Sequence, residues 1–383
     1  MPNESVDDYL VRIYSNLNVF GLSCQDAADL MNAESGEAYS ESRWRKRFKV
    51  FHQGMLYERK RKTGDILDRQ TRELEKQKLL IAEQRSALKR ELAADTKRDA
   101  LVCEILDHFK SFSPIPLPDV QDAVIWDGGT LIVVLSDLHL GMTFSHQYGA
   151  YNTEIAKIRM AEYAVRVRQE AQRLEVANCV IALAGDLVSG SIHPSLRAEN
   201  RENAIEQIKL AGELVAQFVA EIAPMFGRVT VYGVGGNHSR LFPKDESVVT
   251  ELLDNIVPWY LEARLKDYQN VSIDQRGGEA ALSVFDVEGQ RVALVHGDCD
   301  TLDEKGVARL KNLAGPLDVI LSGHMHECEF YDELGTHIVR GGCLCGVGDS
   351  YSISRRLVSR PSQIMVHMER GRGFAGVIPV YFE

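Results

Sequence analysis

From about residue 126 onward the sequence predicts an α/β domain. Two observations carry this. Short apolar runs alternate with longer amphipathic stretches, and five of the runs end in Asp, Asn or His beside glycine. A third observation sets the preceding part apart: residues 1–55 and 56–112 read as helical, with a proline-rich linker across 113–125 before a domain spanning 126–383.

The first region carries apolar periodicity over Tyr9–Phe20, a helix-like stretch over Gln25–Asn32 and a third over Ser40–Val50. Ser23 and Ser40 stand where a hydroxyl can accept from an early backbone N–H and cap the second and third helices. The arrangement resembles a helix-turn-helix. On that reading Arg43, Arg45, Lys46 and Arg47 of the third helix neutralise phosphates of a nucleic acid. A helical bundle that contacts protein, with a solvated basic face, fits the same residues.

The second region, about Tyr57 to Lys110, reads as one long charged helix. Leu67, Leu74, Ile81 and Leu88 are seven apart, but Gln70, Gln77, Gln84 and Glu91 stand where a coiled coil needs its second apolar stripe. A weak homo-oligomer contact, or docking on the catalytic domain, is expected rather than a strong zipper. From Arg43 to Arg98 there are eighteen Lys/Arg against eight Asp/Glu, so the remainder of the chain is correspondingly acidic. Pro114, Pro116 and Pro118 then enforce extended backbone.

The net charge of −11 argues against non-specific polyanion binding over the whole surface, though not against a local basic patch. The acidic first residues lack the basic and apolar regions of a secretory signal, and the longest apolar runs are too short for a membrane span. Seven scattered cysteines without a CxxC pair suit a reducing cytoplasm and offer no thiolate zinc site.

The chemistry-bearing blocks follow the strands. Leu131–Leu135 leads to Asp137 and His139, which share a direction because they are two apart. After a helix near Glu154–Leu174, Val180–Ala184 leads to Gly185-Asp186. After another near Asn203–Ala223, Val229–Val234 leads to Gly236-Asn237-His238. Val292–Val295 ends at His296, and Val319–Leu321 leads to Gly323-His324-Met325-His326. A lone Gly-Asp is usually a turn, and a lone buried His is usually a core residue. The same pattern after five separate strands is a metal site, since ligands gather at strand carboxyl ends in α/β folds.

These blocks, DxH, GD, GNH, a His before Gly and GHxH, resemble the calcineurin-like metallophosphoesterase superfamily over about Leu131–His326. The resemblance implies a four-layer αββα sandwich and two divalent metal ions. Asp137, His139, Asp186 and His326 would hold one ion, with Asp186 bridging to a second completed by Asn237, His296 and His324. His238 would lie outside both and protonate the leaving group. Carboxylate, amide and imidazole donors favour Mn, with Fe or Zn as alternatives. Two such ions clamp a phosphoryl oxygen and activate a shared water.

The substrate is less directly written. Gly185–Gly190 lacks the Asp and Arg that phosphoprotein phosphatases carry after GD. Ser136–Gly141, Gly185–Val188 and His193-Pro194-Ser195 resemble the SbcD-type DNA nucleases, yet Ser239-Arg240 follows GNH where those carry Asp. The 57 residues after His326 are also too few for the strand-finishing segment and their capping domain. Arg240 can grip a phosphate, or be a surface arginine. The basic helical start and long helix resemble phage-encoded metallophosphoesterases, which favours a nucleic-acid phosphodiester. A small-molecule or nucleotide phosphodiesterase or phosphatase remains the alternative, as does an adaptor with a vestigial metal domain, although a decaying site would be expected to lose ligands. Gly341–Tyr351, with Cys343 and Cys345, reads as a loop of small residues packing under the metals.

Overall fold

A computed structural model describes residues 4–60, 73–86, 89, 116–119, 126–192, 199–346, 350–357 and 359–383. The chain divides into two compact units, Met1–Thr96 and Lys97–Glu383.

In the first unit, α1 (Val6–Ser15), α2 (Leu17–Phe20), α3 (Cys24–Ser35) and α4 (41–60) close around Leu10, Ala27, Ala28, Met31 and Trp44, all fully buried. The continuous helix expected over Tyr9–Phe20 is broken. Asn16 leaves helical geometry (φ −121°, ψ 26°), and its side-chain amide donates to the Arg12 carbonyl at 2.8 Å, a local bond that competes with the helix. Ser23 accepts from the Asp26 amide and Asp26 reciprocates, forming a capping box. Ser40 does not cap in this way, because its hydroxyl faces that of Ser42 at 3.2 Å. Asn32 instead organises the turn, accepting from Trp44 Nε1 (2.8 Å) and from the Tyr39 amide (2.9 Å). Leu74 and Ile81 lie exposed on a helical segment, 73–86. Leu67, Leu88, most of the proline linker and His193-Pro194-Ser195 lie outside the described residues.

The second unit is built on two sheets. The first has the order β13-β12-β1-β4-β5-β6, from β1 (Thr130–Leu135), β4 (Asn178–Leu183), β5 (Arg228–Gly233), β6 (Val271–Asp274), β12 (Ser362–Glu369) and β13 (Gly373–Tyr381). Strands β1, β4, β5 and β6 run parallel, while β12 runs antiparallel to β1 and β13 runs antiparallel to β12. The second sheet has the order β10-β11-β9-β8-β7, from β7 (Leu282–Val287), β8 (Gln290–Val295), β9 (Val319–Ser322), β10 (Glu329–Glu333) and β11 (Thr336–Arg340). A small hairpin joins β2 (Phe144–His146) to β3 (Gly149–Tyr151).

Alternation along the strands builds the layers. Leu131, Val133 and Leu135 face a core shared with α5 (Thr153–Leu174), α6 (Ala204–Ile222) and α7 (Ile256–Arg264), whereas Ile132 and Val134 face the second sheet. Strand β8 repeats the division: Val292 and Leu294 point between the sheets, and Ala293 and Val295 point to a third core under α8 (Glu304–Ala314). Strands buried on both faces explain the continuous apolar runs in the sequence. The result is the αββα sandwich, with strands β1, β4, β5, β8 and β9 delivering their carboxyl ends to one region. No described helix is long and apolar enough to cross a membrane.

Candidate metal centre

Asp137 and His139 follow β1, Asp186 follows β4, Asn237 and His238 follow β5, His296 follows β8, and His324 and His326 follow β9. The structure gathers the acidic and imidazole groups into three overlapping clusters: Asp137, His139 and His326; His139, Asp186 and His238; and Asp186, His296 and His324. Within each cluster the ligand atoms lie inside 4.8 Å of one another. Asn237 joins through its Oδ1, 3.2 Å from His296 Nε2. The seven side chains expected to ligate thus meet in one place, with Asp186 in two clusters.

The backbone there is strained. Asp137, His139, Asp186, His324 and His326 all adopt positive φ, between 46° and 72°. For residues with a Cβ this left-handed conformation costs about 1 kcal/mol or more each. Surrounding structure fixes it. The Asp137 amide donates to the Gly185 carbonyl (3.1 Å) and the His139 amide to the Asp186 carbonyl (3.0 Å). Glycine is required where the blocks touch. A Cβ on Gly236 would stand 2.2 Å from Asp186 Oδ1, and one on Gly323 would stand 2.5 Å from Asp137 Oδ2.

The carboxylates divide their oxygens. Asp186 Oδ1 accepts from the His238 amide at 2.7 Å, and Asp137 Oδ2 from the His324 amide at 2.9 Å. Their other oxygens, Asp186 Oδ2 and Asp137 Oδ1, are buried without a well-formed hydrogen bond, as is His139 Nδ1. Asp186 Oδ2 lies 3.1 Å from His296 Nε2, and Asp137 Oδ1 lies 3.3 Å from His326 Nε2. His139 Nε2 and His326 Nε2 face each other at 3.0 Å. Buried oxygens and ring nitrogens turned toward common points, short of ordinary hydrogen bonding, fit divalent cations with mixed O and N donors.

Titration follows the same geometry. Burial disfavours a charged His296, but the adjoining Asp186 carboxylate outweighs it and raises the ring to about 10. Burial and the neighbouring His238 and His326 push His139 well down. Burial also lowers His324. The proton on His296 must leave before its Nε2 lone pair can reach a cation. Divalent-cation affinity should therefore rise with pH up to about 10, with proton release on binding. Calorimetry in buffers of different ionisation enthalpy checks this; a pH-independent affinity without proton release contradicts it.

His238 has a distinct anchor. Its Nδ1 lies 2.9 Å from the Ser189 carbonyl, an arrangement in which the ring N–H donates to that oxygen. A main-chain carbonyl thus orients this ring in the segment where the sequence lacked the Asp of phosphoprotein phosphatases. Arg240 is paired with Asp298, two residues beyond His296, so meeting a phosphate would require sharing or leaving that carboxylate. Sequence reading missed Asp254. It is buried, its Oδ2 accepts from the Gly236 amide at 3.0 Å, and burial together with Asp186 raises it to about 7. A lone Asp flanked by Leu252-Leu253 and Ile256-Val257 offered no signal. Cys343 and Cys345 are buried, and neither joins a ligand cluster among the described residues.

The candidate nucleic-acid contacts Arg43, Arg45, Lys46 and Arg47 lie on α4. Arg47 pairs with Asp7 at 2.6 Å, Arg45 with Glu41 at 3.4 Å, and the Arg43 guanidinium lies 3.8 Å above the Tyr39 ring. Lys46 is exposed.

An αββα sandwich presenting clustered carboxylate, amide and imidazole groups at its strand ends is the architecture of a metal-dependent phosphoester hydrolase. A family model described as the calcineurin-like phosphoesterase superfamily domain matches residues 131–359, and the chain belongs to that superfamily. A model described as the YonJ N-terminal domain matches residues 1–63. The chain is 24% identical over 283 residues to the SPbeta prophage-derived uncharacterized protein YonJ of Bacillus subtilis (strain 168), covering 71% of this chain and 69% of the relative. Similar solved structures include wild-type Vps29 complexed with Zn²⁺ from Entamoeba histolytica (13% identity, TM-score 0.32, 66% of this chain and 99% of that one). A novel archaeal phosphodiesterase (12%, 0.31, 65% and 99%) and a hypothetical protein of Pyrococcus horikoshii OT3 (11%, 0.35, 66% and 89%) are also similar.

Proposed function

We propose that the chain hydrolyses phosphodiester bonds with two divalent cations, Mn²⁺ foremost, and that its substrate is a nucleic acid, most readily DNA. The observation that carries the hydrolytic reading is the convergence of strained ligand residues whose buried oxygens lack hydrogen-bond partners. Asp137, His139, Asp186 and His326 would hold one cation; Asp186, Asn237, His296 and His324 would hold the other. Bound divalent cations supply Lewis-acid polarisation of the phosphoryl group and make a water acidic enough to attack at neutral pH.

The chain's own groups supply the rest. Buried Asp137 and Asp186 fix negative charge where cations are needed, and the αL backbone aims the rings inward. His238, turned by the Ser189 carbonyl, leaves Nε2 available to hold a proton for the departing alkoxide.

The nucleic-acid part rests on the basic stretch from Arg43 to Arg98, which gives an otherwise acidic chain a hold on a polyanion. A second reading, a small-molecule or nucleotide phosphodiesterase, is favoured by the ion pairs that already occupy Arg45 and Arg47. With Mn²⁺ present, turnover of bis-p-nitrophenyl phosphate is expected to exceed that of the monoester, and labelled single- or double-stranded DNA should be cut. Strong diester cleavage without action on either DNA selects the second reading. Removing residues 1–110 should lower DNA affinity and spare diester turnover.

A further inference from the structure

The His238 ring is oriented by a main-chain carbonyl, so its aim depends on what fixes that peptide. A peptide group is planar, with its C=O and N–H pointing in opposite directions. The Ser189 carbonyl and the Gly190 amide are the two ends of one such plane. At the far end the Gly190 N–H donates to Gln207 Oε1 at 2.8 Å. Gln207 lies on α6 and is only 1% exposed. Its side chain is itself aimed, because Nε2 donates to the Glu202 carbonyl at 2.8 Å. With the oxygen accepting and the nitrogen donating, the amide has one orientation that satisfies both partners. Close backbone approach makes this possible. Gly190 has a φ of 69°, and a Cβ there would stand 1.8 Å from the His238 carbonyl oxygen. A Cβ on Gly141 would stand 2.3 Å from Gln207 Cγ. Asn200 holds the same turn, accepting from Ser189 Oγ at 2.7 Å and donating to the Gly190 carbonyl.

The geometry points to Gln207 as a positioning residue for His238. Its side-chain oxygen holds the Ser189–Gly190 peptide so that the Ser189 carbonyl accepts the ring Nδ1–H and Nε2 is left to carry the proton. This role rests on His238 acting as the general acid proposed above. Hydrogen bonds in series polarise one another, so the Gln207 contact also makes the Ser189 carbonyl a better acceptor. Losing it lets the peptide turn and the ring follow. A misplacement of about 1 Å at a reacting group costs on the order of 100-fold in rate.

The test compares two variants of the full chain, with thermal unfolding as a check on folding. Gln207→Met keeps the length and burial of the side chain but removes the acceptor. Gln207→Glu keeps an acceptor for the Gly190 amide, and when protonated can also donate to the Glu202 carbonyl. With Mn²⁺, Gln207→Met should lose about 10- to 100-fold in kcat for a dinucleotide, with a smaller loss for bis-p-nitrophenyl phosphate and the parent's metal content. Gln207→Glu should recover most of that loss. In a His238→Ala background, Gln207→Met should add no further loss, because both changes act through one ring. Nitrogen NMR of the metal-free chain in alkaline buffer, with isotope-labelled histidine, supplies a readout apart from turnover. The His238 signals, assigned by their absence in His238→Ala, should show the Nδ1–H tautomer in the parent and move toward Nε2–H in Gln207→Met. An unchanged tautomer overturns the positioning role, as do equal losses with both substrates or losses that multiply with those of His238→Ala. A His238→Ala defect that ignores the leaving group overturns the general-acid reading instead, while the tautomer still reports whether Gln207 aims the ring.

Discussion

Asp186→Ala should lose both cations and lower kcat/KM for a diester by more than about 10³-fold, since electrostatic stabilisation by a fixed charge is the largest single contribution to such catalysis. Asp186 belongs to two of the ligand clusters, sits fully inside the protein, and directs an otherwise unpaired oxygen toward His296. Its other oxygen holds the His238 amide. Alanine removes the charge and also releases that loop. Asp186→Asn separates the two effects, because a side-chain oxygen can still accept from the His238 amide while the anionic donor is gone. Metal content by atomic emission and turnover of bis-p-nitrophenyl phosphate should fall together in both variants. A folded Asp186→Ala that keeps two equivalents of metal would contradict the bridging role.

His238→Ala should do the reverse, keeping its metal while losing about 10²- to 10⁴-fold in turnover, the range of a single general acid. The loss should depend on the leaving group. It should be large for a dinucleotide, which departs as an alkoxide, and small for bis-p-nitrophenyl phosphate, whose phenolate is stable near neutral pH without a proton. The geometry supports this division: the ring edge stands against His139, with centroids 4.5 Å apart, and its Nδ1 is committed to the Ser189 carbonyl. Metal loss in His238→Ala, or an equal defect with both substrates, would place His238 among the ligands instead.

How much of this was legible follows from where each signal lies. The strands announced themselves by buried apolar runs, and ligand-type residues stood at the end of each. The expected helices near Glu154–Leu174 and Asn203–Ala223 correspond to Thr153–Leu174 and Ala204–Ile222. Sheet membership was not readable. Strands β12 and β13 run 8 and 9 residues and place β12 beside β1, a pairing set by tertiary contact rather than local pattern. The Ser189 carbonyl is a backbone atom and leaves no trace in residue identity. The Arg240–Asp298 and Gly236–Asp254 contacts join residues whose separation follows no period. The left-handed backbone at Asp137, His139, Asp186, His324 and His326 was likewise invisible, since only glycine advertises positive φ in sequence. Asn16 marks the opposite limit: an apolar period ran across it, and one side-chain bond to Arg12 accompanies the break.

Anomalous scattering from crystals grown with Mn²⁺ tests the central claim most directly. Two peaks about 3.5–4 Å apart are expected, one among Asp137, His139, Asp186 and His326 and the other among Asp186, Asn237, His296 and His324, with His238 coordinating neither. A single peak, or a peak ligated by His139, Asp186 and His238, would contradict the account.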